Sequence, residues 1–336
     1  VVLAIALVSI GLGVRGLAVA ATATAWITCV VSVAALARIH PHVVRLCRDT
    51  WRTAAMLRFS LPQTLSGMLF FTILWTDTLF LARFGSAAQV GVYTVAGRLV
   101  TPAMLISTAI GQMFAPRIAA ADARGAHASL SAMLKRVTYW NTVVSLPFFA
   151  ALAVAAAPLL RMFGGRYAVG ATALTVLAVG QLVNTAAGPL GQVINMSGRP
   201  YVNLMNNALV AVLNVAGCLV LIPRYGLTGA ACSTAGALTL VNAIKLVELR
   251  VMLGLWPFRS DSLRTFAAAG GAAALAAFLV HVPSWGSNFL EVAVVGTVLF
   301  VAYLQLVVLV AVRGEERAML RRRWIAVRSA AGRGAA

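Results

Sequence analysis

The stretch "FTILWTDTLFLARFGSAAQVGVYTVAGRLV", residues 71–100, contains two apolar runs joined by a short turn around Gly85. Each run approaches the length of about 20 apolar residues that crosses a bilayer as a helix. Asp77 lies deep in the first run and Arg98 lies in the second. Because a charge within hydrocarbon is costly, such residues normally have a function or a partner. Asp77 and Arg98 are therefore the first candidates for a functional site.

The rest of the sequence is equally apolar. Of the 336 residues, 61% are hydrophobic and 10% are charged, whereas a soluble domain is about half apolar and a quarter charged. This composition predicts an all-α protein, a polytopic transmembrane helix bundle with no soluble domain between the spans. Hydropathy, with breaks at Gly, Pro and charged residues, gives about ten spans. The predicted spans are 1–14, 16–37, 61–82, 90–115, 137–160, 168–195, 201–222, 226–246, 265–282 and 289–312.

The basic residues give the orientation of the bundle. Most of the 27 Lys and Arg residues fall on one set of alternate loops, which includes 38–60, and on the tail, 313–336. The opposite loops hold only Arg15, Arg83, Arg161, Arg166 and Arg224. Because cytoplasmic loops retain Lys and Arg, the linker 38–60 and the tail are expected to be cytoplasmic. The formal charge of +19 then reflects topology and contact with membrane lipids, with no nucleic acid as partner.

Few side chains are available for catalysis or for metal binding. Only Asp77 among the eight acidic residues lies deep in a span, and all four His residues lie outside the spans. The four Cys residues have no metal-type spacing, and no Gly-rich loop is suited to phosphate. We therefore expect no enzyme activity, no metal and no cofactor.

Asp77 and Arg98 are predicted to lie at similar depth. Their spans run in opposite directions, and at the rise of an α-helix the two depths differ by only about 3 Å. An ion pair would offset much of the cost of burying both charges. Two interpretations remain open: a gate near the outer face, in which Asp77 binds and releases a proton, or a static pair that fixes helix packing.

Two neighbouring spans each carry side-chain amides on one face. The residues are Gln181, Asn184, Gln192 and Asn195 in the first span and Asn203, Asn207 and Asn214 in the second. The first set covers a strip about 80° wide and the second a strip about 40° wide. Amides suit sugar hydroxyls, so these faces either line a cavity or bond helix to helix. Pro189, on the first face, is expected to leave the carbonyl of Thr185 without its helical partner.

Three segments carry a family resemblance. They are "TDTLFLARFGSAAQVGVYTVAGRLV" (76–100), "MFAPRIAA" (113–120) and "GRPYVNLMNNALVAVLNVAGCLVLIPRYGLTGAACSTAGA" (198–237). Together they resemble the polysaccharide flippases, the Wzx-type O-antigen branch of the multidrug/oligosaccharidyl-lipid/polysaccharide (MOP) exporter superfamily.

This resemblance implies a MATE-like bundle of two lobes that opens alternately to either side of a bacterial cytoplasmic (inner) membrane. Its implied substrate is an undecaprenyl-diphosphate-linked oligosaccharide, a repeat unit of O-antigen in lipopolysaccharide, of capsule or of exopolysaccharide. Polysaccharide polymerase machinery is an implied partner. Arg98 and Lys245 are then candidates to contact the phosphates, and Glu248 is an alternative partner for Lys245.

The resemblance also implies a domain organisation in which the N-terminal helices of the family are missing. Residues 1–37 correspond to the last helices of the first lobe, with the first span truncated, and 38–60 to the basic cytoplasmic linker between lobes. Residues 61–312 correspond to the second lobe with extra helices, and 313–336 to the cytoplasmic tail.

Two alternatives to a flippase stay open on the sequence alone. A drug or cation antiporter has the same architecture, although such antiporters tend to need several acidic residues in the cavity. A truncated remnant that does not transport is the other alternative.

Overall fold

The computed structural model describes residues 13–39, 50–259, 271 and 288–306, and every regular element in these ranges is helical. The all-α prediction is therefore confirmed for this part of the chain. The helices are α1 (Gly13–Ile39), α2 (Thr50–Phe84), α3 (Ala87–Ala123), α4 (His127–Val154), α5 (Ala156–Arg161), a 3-10 helix (Gly165–Gly170), α6 (Ala171–Ala186), α7 (Leu190–Met196), α8 (Pro200–Leu253) and α9 (Asn288–Leu306).

The chain divides into two compact units, residues 1–61 and residues 62–336. The first unit contains α1. The second unit contains every helix from α3 onward and most of α2. The division lies beside the end of the predicted linker, 38–60, but α2 already begins at Thr50, inside that linker.

Several helices are suited to crossing a membrane. Within the described ranges, four helices are long and apolar enough to do so, and a fifth is if the two segments of α3 form one bent span. The predicted spans 1–14 and 265–282 lie outside the described residues except for residues 13, 14 and 271, and residues 307–312 and the tail lie outside them entirely. The observed helices cover the other predicted spans, and α3 extends past the predicted end at 115 to Ala123.

Helix α8 is two antiparallel arms. At Gly226 the backbone leaves the helical region, with φ of 54° and ψ of −125°, a conformation open mainly to glycine. Arg199 donates to the carbonyl of Met252 at 3.1 Å, and Asn214 donates to the hydroxyl of Thr234 at 3.0 Å. The first bond joins the start of the first arm to the end of the second arm, and the second bond joins the middle parts of the two arms. The chain therefore reverses at Gly226. The predicted spans 201–222 and 226–246 are confirmed as the first arm and the second arm.

Small residues let the two arms approach closely. A Cβ added at Gly229 would lie 2.5 Å from the carbonyl carbon of Leu221, which is too close for any real side chain. The hydroxyl of Ser233 donates to the carbonyl of Asn214 across the same interface at 2.7 Å. Close backbone packing thus holds the arms together, as is typical of small residues between membrane helices.

The predicted span 168–195 falls within a candidate membrane span, Gly165–Met196, that consists of three consecutive helical segments. Residues 165–170 form the 3-10 helix, and α6 ends at Ala186 before α7 begins at Leu190. Gly188 has φ of 86°, in the left-handed region, and Pro189 has no N–H to donate. These two residues interrupt the helix.

The larger unit contains two main clusters of buried side chains. The Phe149 cluster joins the first part of α3, the end of α4, α5, α6 and the region of α8 near the reversal. Its members include Leu81, Val92, Val100, Phe149, Leu152, Leu160, Leu174, Leu177, Ile222 and Leu227. The Leu190 cluster joins the second part of α3, the beginning of α4, α7 and the end of α8. Its members are Ile118, Leu130, Leu134, Ala187, Leu190, Val193, Leu249 and Leu255.

Replacing Gly229 by alanine is expected to destabilise the protein. The added methyl group meets the Leu221 backbone, and overpacking of this kind costs about 1 to 3 kcal/mol. Gly236→Ala is the matched control, because a Cβ at Gly236, on the same arm, meets nothing within 4 Å. Thermal unfolding in detergent measures both variants. Equal unfolding temperatures for the two would contradict the close approach of the arms.

Candidate functional site

The centre of the site is the carboxylate of Asp77 on α2, which is 6% exposed. The hydroxyl of Tyr93 on α3 donates to Oδ2 of Asp77 at 2.7 Å. The amide of Asn214, on the first arm of α8, donates to Oδ1 at 2.9 Å, and the Thr234 hydroxyl on the second arm donates to Oδ2. The thiol of Cys218 also lies 3.4 Å from Oδ1. One carboxylate therefore joins α2, α3 and both arms of α8; we call these five side chains the Asp77 cluster.

The helical reversal at Gly226 assembles the α8 side of this cluster. Asn214 and Cys218 are one turn apart and so share a face of the first arm, where both are fully buried. The hydroxyl of Ser233 bonds to this face from the second arm, accepting from the Cys218 thiol at 3.5 Å. The neighbouring Thr234 side chain then points to Asp77. Residues distant in sequence meet because the arms pack against each other.

All four groups that lie against the Asp77 carboxylate are electrically neutral: a phenol, an alcohol and an amide that donate to it, and a thiol at 3.4 Å whose single proton Ser233 can also accept. Among the described residues, no Lys or Arg lies within ion-pair distance of this carboxylate. Hydrogen bonds to a carboxylate are stronger than those between neutral groups and stabilise the negative charge. They leave its net charge in place, however, and a net charge in a low-dielectric layer is costly.

The structure does not pair Asp77 with Arg98. Arg98 is exposed, and Tyr93 of the same helix faces the carboxylate instead. The step of five positions from Tyr93 to Arg98 rotates the side-chain direction by about 140°, so the two side chains cannot both face α2. Asp77 and Arg98 were predicted to pair because their depths match, but Arg98 lies on a face of α3 that does not face α2. A gating role for Asp77 stays a prediction, with the neutral cluster as its setting.

The Asp77 cluster has the chemistry of a site for a proton or for a small hard cation. The Asn214 side-chain oxygen is buried with no hydrogen-bond partner in the part of the chain that the structure describes. The Asn214 amide nitrogen faces the carboxylate and the Thr234 hydroxyl, so the cluster itself offers a cation the carboxylate and hydroxyl oxygens, which hard cations prefer. The described residues contain no group of three or more His, Cys, Asp or Glu suited to a transition metal.

A second polar group lies between α6 and the second arm of α8. The amide of Asn184 donates to Gln181 at 3.2 Å, and the amide of Asn242 donates to Asn184 at 2.8 Å. Gly180 lies against Ala235, so the two helices touch at this level. In this conformation the Gln181 and Asn184 amides form a hydrogen-bonded chain across a helix contact.

The other predicted amides lie farther along the chain, on α7 and on the first arm of α8. Gln192 and Asn207 are half-buried, whereas Asn195 and Asn203 are buried. The side-chain oxygens of Asn195 and Asn203 have no partner among the described residues. Lining of a cavity by these four residues stays a prediction.

Lys245 lies on the second arm of α8 and is half-buried. Glu248, one turn further on, accepts a hydrogen bond from the amide of Asn206 at 2.6 Å. Lys245 forms no ion pair within the described residues. Glu248 is close enough to act on the ammonium group of Lys245 electrostatically, while its carboxylate also accepts from the first arm.

Sequence reasoning missed several side chains that the structure brings into play: Tyr93, Cys218, Thr234 and Asn242 around the two polar groups, and Asn141 on α4. Tyr93 and Cys218 look like ordinary apolar residues in a membrane helix. Asn141 and Asn242 carried a usable signal, because a lone Asn inside an apolar span needs a partner.

The arrangement of helices matches a solved transporter structure. The lipid II flippase MurJ, in its inward closed conformation, superposes with a TM-score of 0.62 and 11% sequence identity. The superposition covers 77% of this chain and 55% of MurJ. The chain is thus a multi-pass membrane protein whose fold is like that of MurJ.

The sequence matches place the chain more narrowly. Residues 1–169 match the family described as "Polysaccharide biosynthesis protein". The chain belongs to this polysaccharide biosynthesis protein family. The resemblance noted from the sequence is confirmed by this match.

Two curated relatives are from Haloferax volcanii. The probable low-salt glycan biosynthesis flippase Agl15 is 21% identical over 162 residues, which are 48% of this chain and 34% of Agl15. The probable flippase AglR is 25% identical over 202 residues, which are 59% of this chain and 42% of AglR. The chain therefore spans less than half the length of either relative.

Replacing Tyr93 by phenylalanine is expected to lower the free energy of unfolding by about 1 to 2 kcal/mol, because a buried carboxylate loses one of its donors. Tyr225→Phe is the control, since Tyr225 is exposed and loses no such bond. Denaturant unfolding in mixed micelles compares the two variants. If Tyr93→Phe is as stable as Tyr225→Phe, the phenol does not support Asp77.

Proposed function

We propose that this protein moves a lipid-linked oligosaccharide from the cytoplasmic to the outer leaflet of the cytoplasmic membrane by alternating access. The substrate we propose is an undecaprenyl-diphosphate-linked repeat unit of O-antigen, capsule or exopolysaccharide. The polysaccharide biosynthesis family, the two relatives named as probable flippases and the MurJ-like fold support this proposal. A polysaccharide polymerase would be the next protein to use the flipped product.

The observation that carries the proposal of a transporter is the buried carboxylate of Asp77 with neutral partners on α3 and on both arms of α8. A static role is served better by an apolar side chain or by an ion pair, because an uncompensated charge destabilises the membrane helix. A site that binds and releases a cation, in contrast, needs a carboxylate whose charge is not already neutralised. We therefore assign Asp77 the role of a gate whose state depends on its occupation.

Protonation of Asp77 would change its hydrogen bonds. As a carboxylate it accepts from Tyr93 and Thr234 at the same oxygen. A protonated oxygen becomes a donor and needs an acceptor, so at least one of the two hydroxyl groups must turn. Thr234 already accepts from Asn214, which limits how it can turn without separating the arms. Occupation of Asp77 can thereby shift α2 and α3 relative to α8.

Contacts to the substrate are proposed from the cationic and amide side chains. Arg98 is exposed and Lys245 is half-buried without an ion pair among the described residues, so both are available to the diphosphate. Gln192 and Asn207 are partly exposed amides, and amides both donate to and accept from sugar hydroxyl groups.

The gate is tested by Asp77→Asn in proteoliposomes that contain a fluorescently labelled lipid-linked oligosaccharide. Asparagine keeps the shape, and the Tyr93 and Thr234 hydroxyls can turn to accept from it, but it cannot bind a proton. Flipping, measured as exposure of the label to an impermeant quencher, is expected to fall about tenfold, the scale of a typical coupling energy. Asp122→Asn, at the end of α3, is the control and should flip at the wild-type rate.

Two results would contradict the proposal in different ways. Wild-type flipping by Asp77→Asn would remove the carboxylate from the mechanism. A wild-type protein that exports a cationic dye and does not flip the oligosaccharide would reject the substrate class in favour of a drug antiporter.

The phosphate contact is tested by Lys245→Gln in the same vesicles. Loss of one charge-assisted hydrogen bond, worth about 1.5 kcal/mol, should raise the half-saturating substrate concentration about tenfold. Lys135→Gln, which removes a half-buried lysine from α4, is the matched control. An unchanged half-saturating concentration for Lys245→Gln would exclude Lys245 from the binding site.

A further inference from the structure

Two helix interruptions lie side by side in the larger unit. Helix α3 bends by 42° between its segments Ala87–Pro102 and Ser107–Ala123. Helix α6 ends at Ala186, and α7 begins at Leu190 after the Gly188–Pro189 break. Pro102 in α3 and Pro189 before α7 have no N–H, so the carbonyls of Arg98 and Thr185 lack their usual helical donors.

Asn141 on α4 bonds to both interruptions through one side chain. Its Oδ1 accepts from the hydroxyl of Ser107, the first residue of the second α3 segment, at 2.8 Å. Its Nδ2 donates to the carbonyl of Thr185 at 3.0 Å. Pro189 has no N–H to donate to this carbonyl, which also accepts from the N–H of Gly188 at 3.0 Å. Asn141 is 3% exposed, so water does not replace these bonds at low cost.

The two interruptions also separate the two main clusters of buried side chains. The first segment of α3 and helix α6 contribute Val100 and Leu174 to the Phe149 cluster. The second segment of α3 and helix α7 contribute Ile118 and Leu190 to the Leu190 cluster. On α4, Asn141 lies between Leu134, which belongs to the Leu190 cluster, and Phe149, which belongs to the Phe149 cluster. Both breaks therefore lie where one packed region ends and the other begins.

The surroundings of the α6–α7 break leave room for a second hydrogen-bond arrangement. Gly188 approaches Thr138, one turn before Asn141 on α4, so closely that a Cβ at Gly188 would lie 3.0 Å from the Thr138 Cβ. The Thr138 hydroxyl is buried and has no partner in the described part of the chain. The Thr138 hydroxyl is thus an unused donor beside the Gly188–Pro189 break. It can bond to a backbone carbonyl of this break when the angle between α6 and α7 changes.

We propose that Asn141 is a positioning residue at a hinge inside the larger unit, where it makes the bends of α3 and of α6–α7 change together. Packed clusters move as bodies, so motion concentrates at the breaks between them. A side chain bonded to both breaks couples their angles. The inference concerns the motion of the protein itself and holds whatever the substrate is.

The test measures the spread of distances across each break by pulsed electron resonance of spin-label pairs in nanodiscs. Exposed sites 94 and 113 report on the α3 bend, and exposed sites 179 and 201 report on the α6–α7 break. The native cysteines Cys29, Cys47 and Cys232 are first replaced by serine so that only the introduced sites are labelled.

The decisive variants remove one or both bonds. Asn141→Leu, which keeps the volume and loses both bonds, should broaden both distance distributions. Ser107→Ala should broaden only the α3 pair, because the bond of Asn141 to Thr185 remains. Thr142→Val is the control and should broaden neither pair, since the Thr142 hydroxyl bonds only within its own helix.

The outcomes separate a hinge from general loosening of the protein. Unchanged distributions in Asn141→Leu would overturn the proposal, and so would equal broadening by Thr142→Val. If Asn141→Leu does not fold, Ser107→Ala decides: broadening of the α3 pair alone supports the hinge, and no broadening rejects it. Because no substrate is added, these results do not depend on whether the protein is a flippase.

Discussion

A carboxylate buried in a membrane helix bundle with only neutral hydrogen-bond partners is the constraint on which the site depends. Asp77 is stabilised by Tyr93 on α3 and by Asn214, Cys218 and Thr234 on the two arms of α8. An ion pair at this position would fix one packing arrangement permanently. Neutral donors do not cancel the negative charge of Asp77. A proton or cation bound there would therefore change the free-energy difference between two packing arrangements of the helices.

The fold supplies this environment by reversing the chain at Gly226. The two arms of α8 pack closely through Gly229 and Ser233, and this brings Asn214 and Thr234 to the same carboxylate. Asp77 on α2 and Tyr93 on α3 also reach this site. The two helices are joined by a short turn in which Ser86 caps the start of α3. The polar side chains are therefore held by apolar packing on every helix that contributes to the site.

Much of the architecture follows from the sequence because hydropathy and helix breakers act locally. A single residue determines each backbone effect, the reversal at Gly226 and the interruption at Pro189. For that reason the sequence already indicated that the Thr185 carbonyl loses its usual helical donor. Its partner Asn141 was not indicated, because it comes from a helix 44 residues away in sequence. The pairing of Asp77 with Arg98 failed for a related reason: depth can be counted along a helix, whereas the facing side depends on how the helices pack. Tyr93 and Cys218 gave no sign in the sequence of their role.

We propose that the charge of Asp77 changes between conformations of this protein. Infrared difference spectroscopy of the protein in lipid measures this directly, because a protonated carboxyl group has a C=O stretch that a carboxylate lacks and that Asp77→Asn assigns by removing it. We expect the C=O band of protonated Asp77 to appear or disappear as the protein is moved between states by pH and by lipid-linked oligosaccharide. A band that is constant in every state, or absent from all of them, would contradict a proton-binding gate at Asp77.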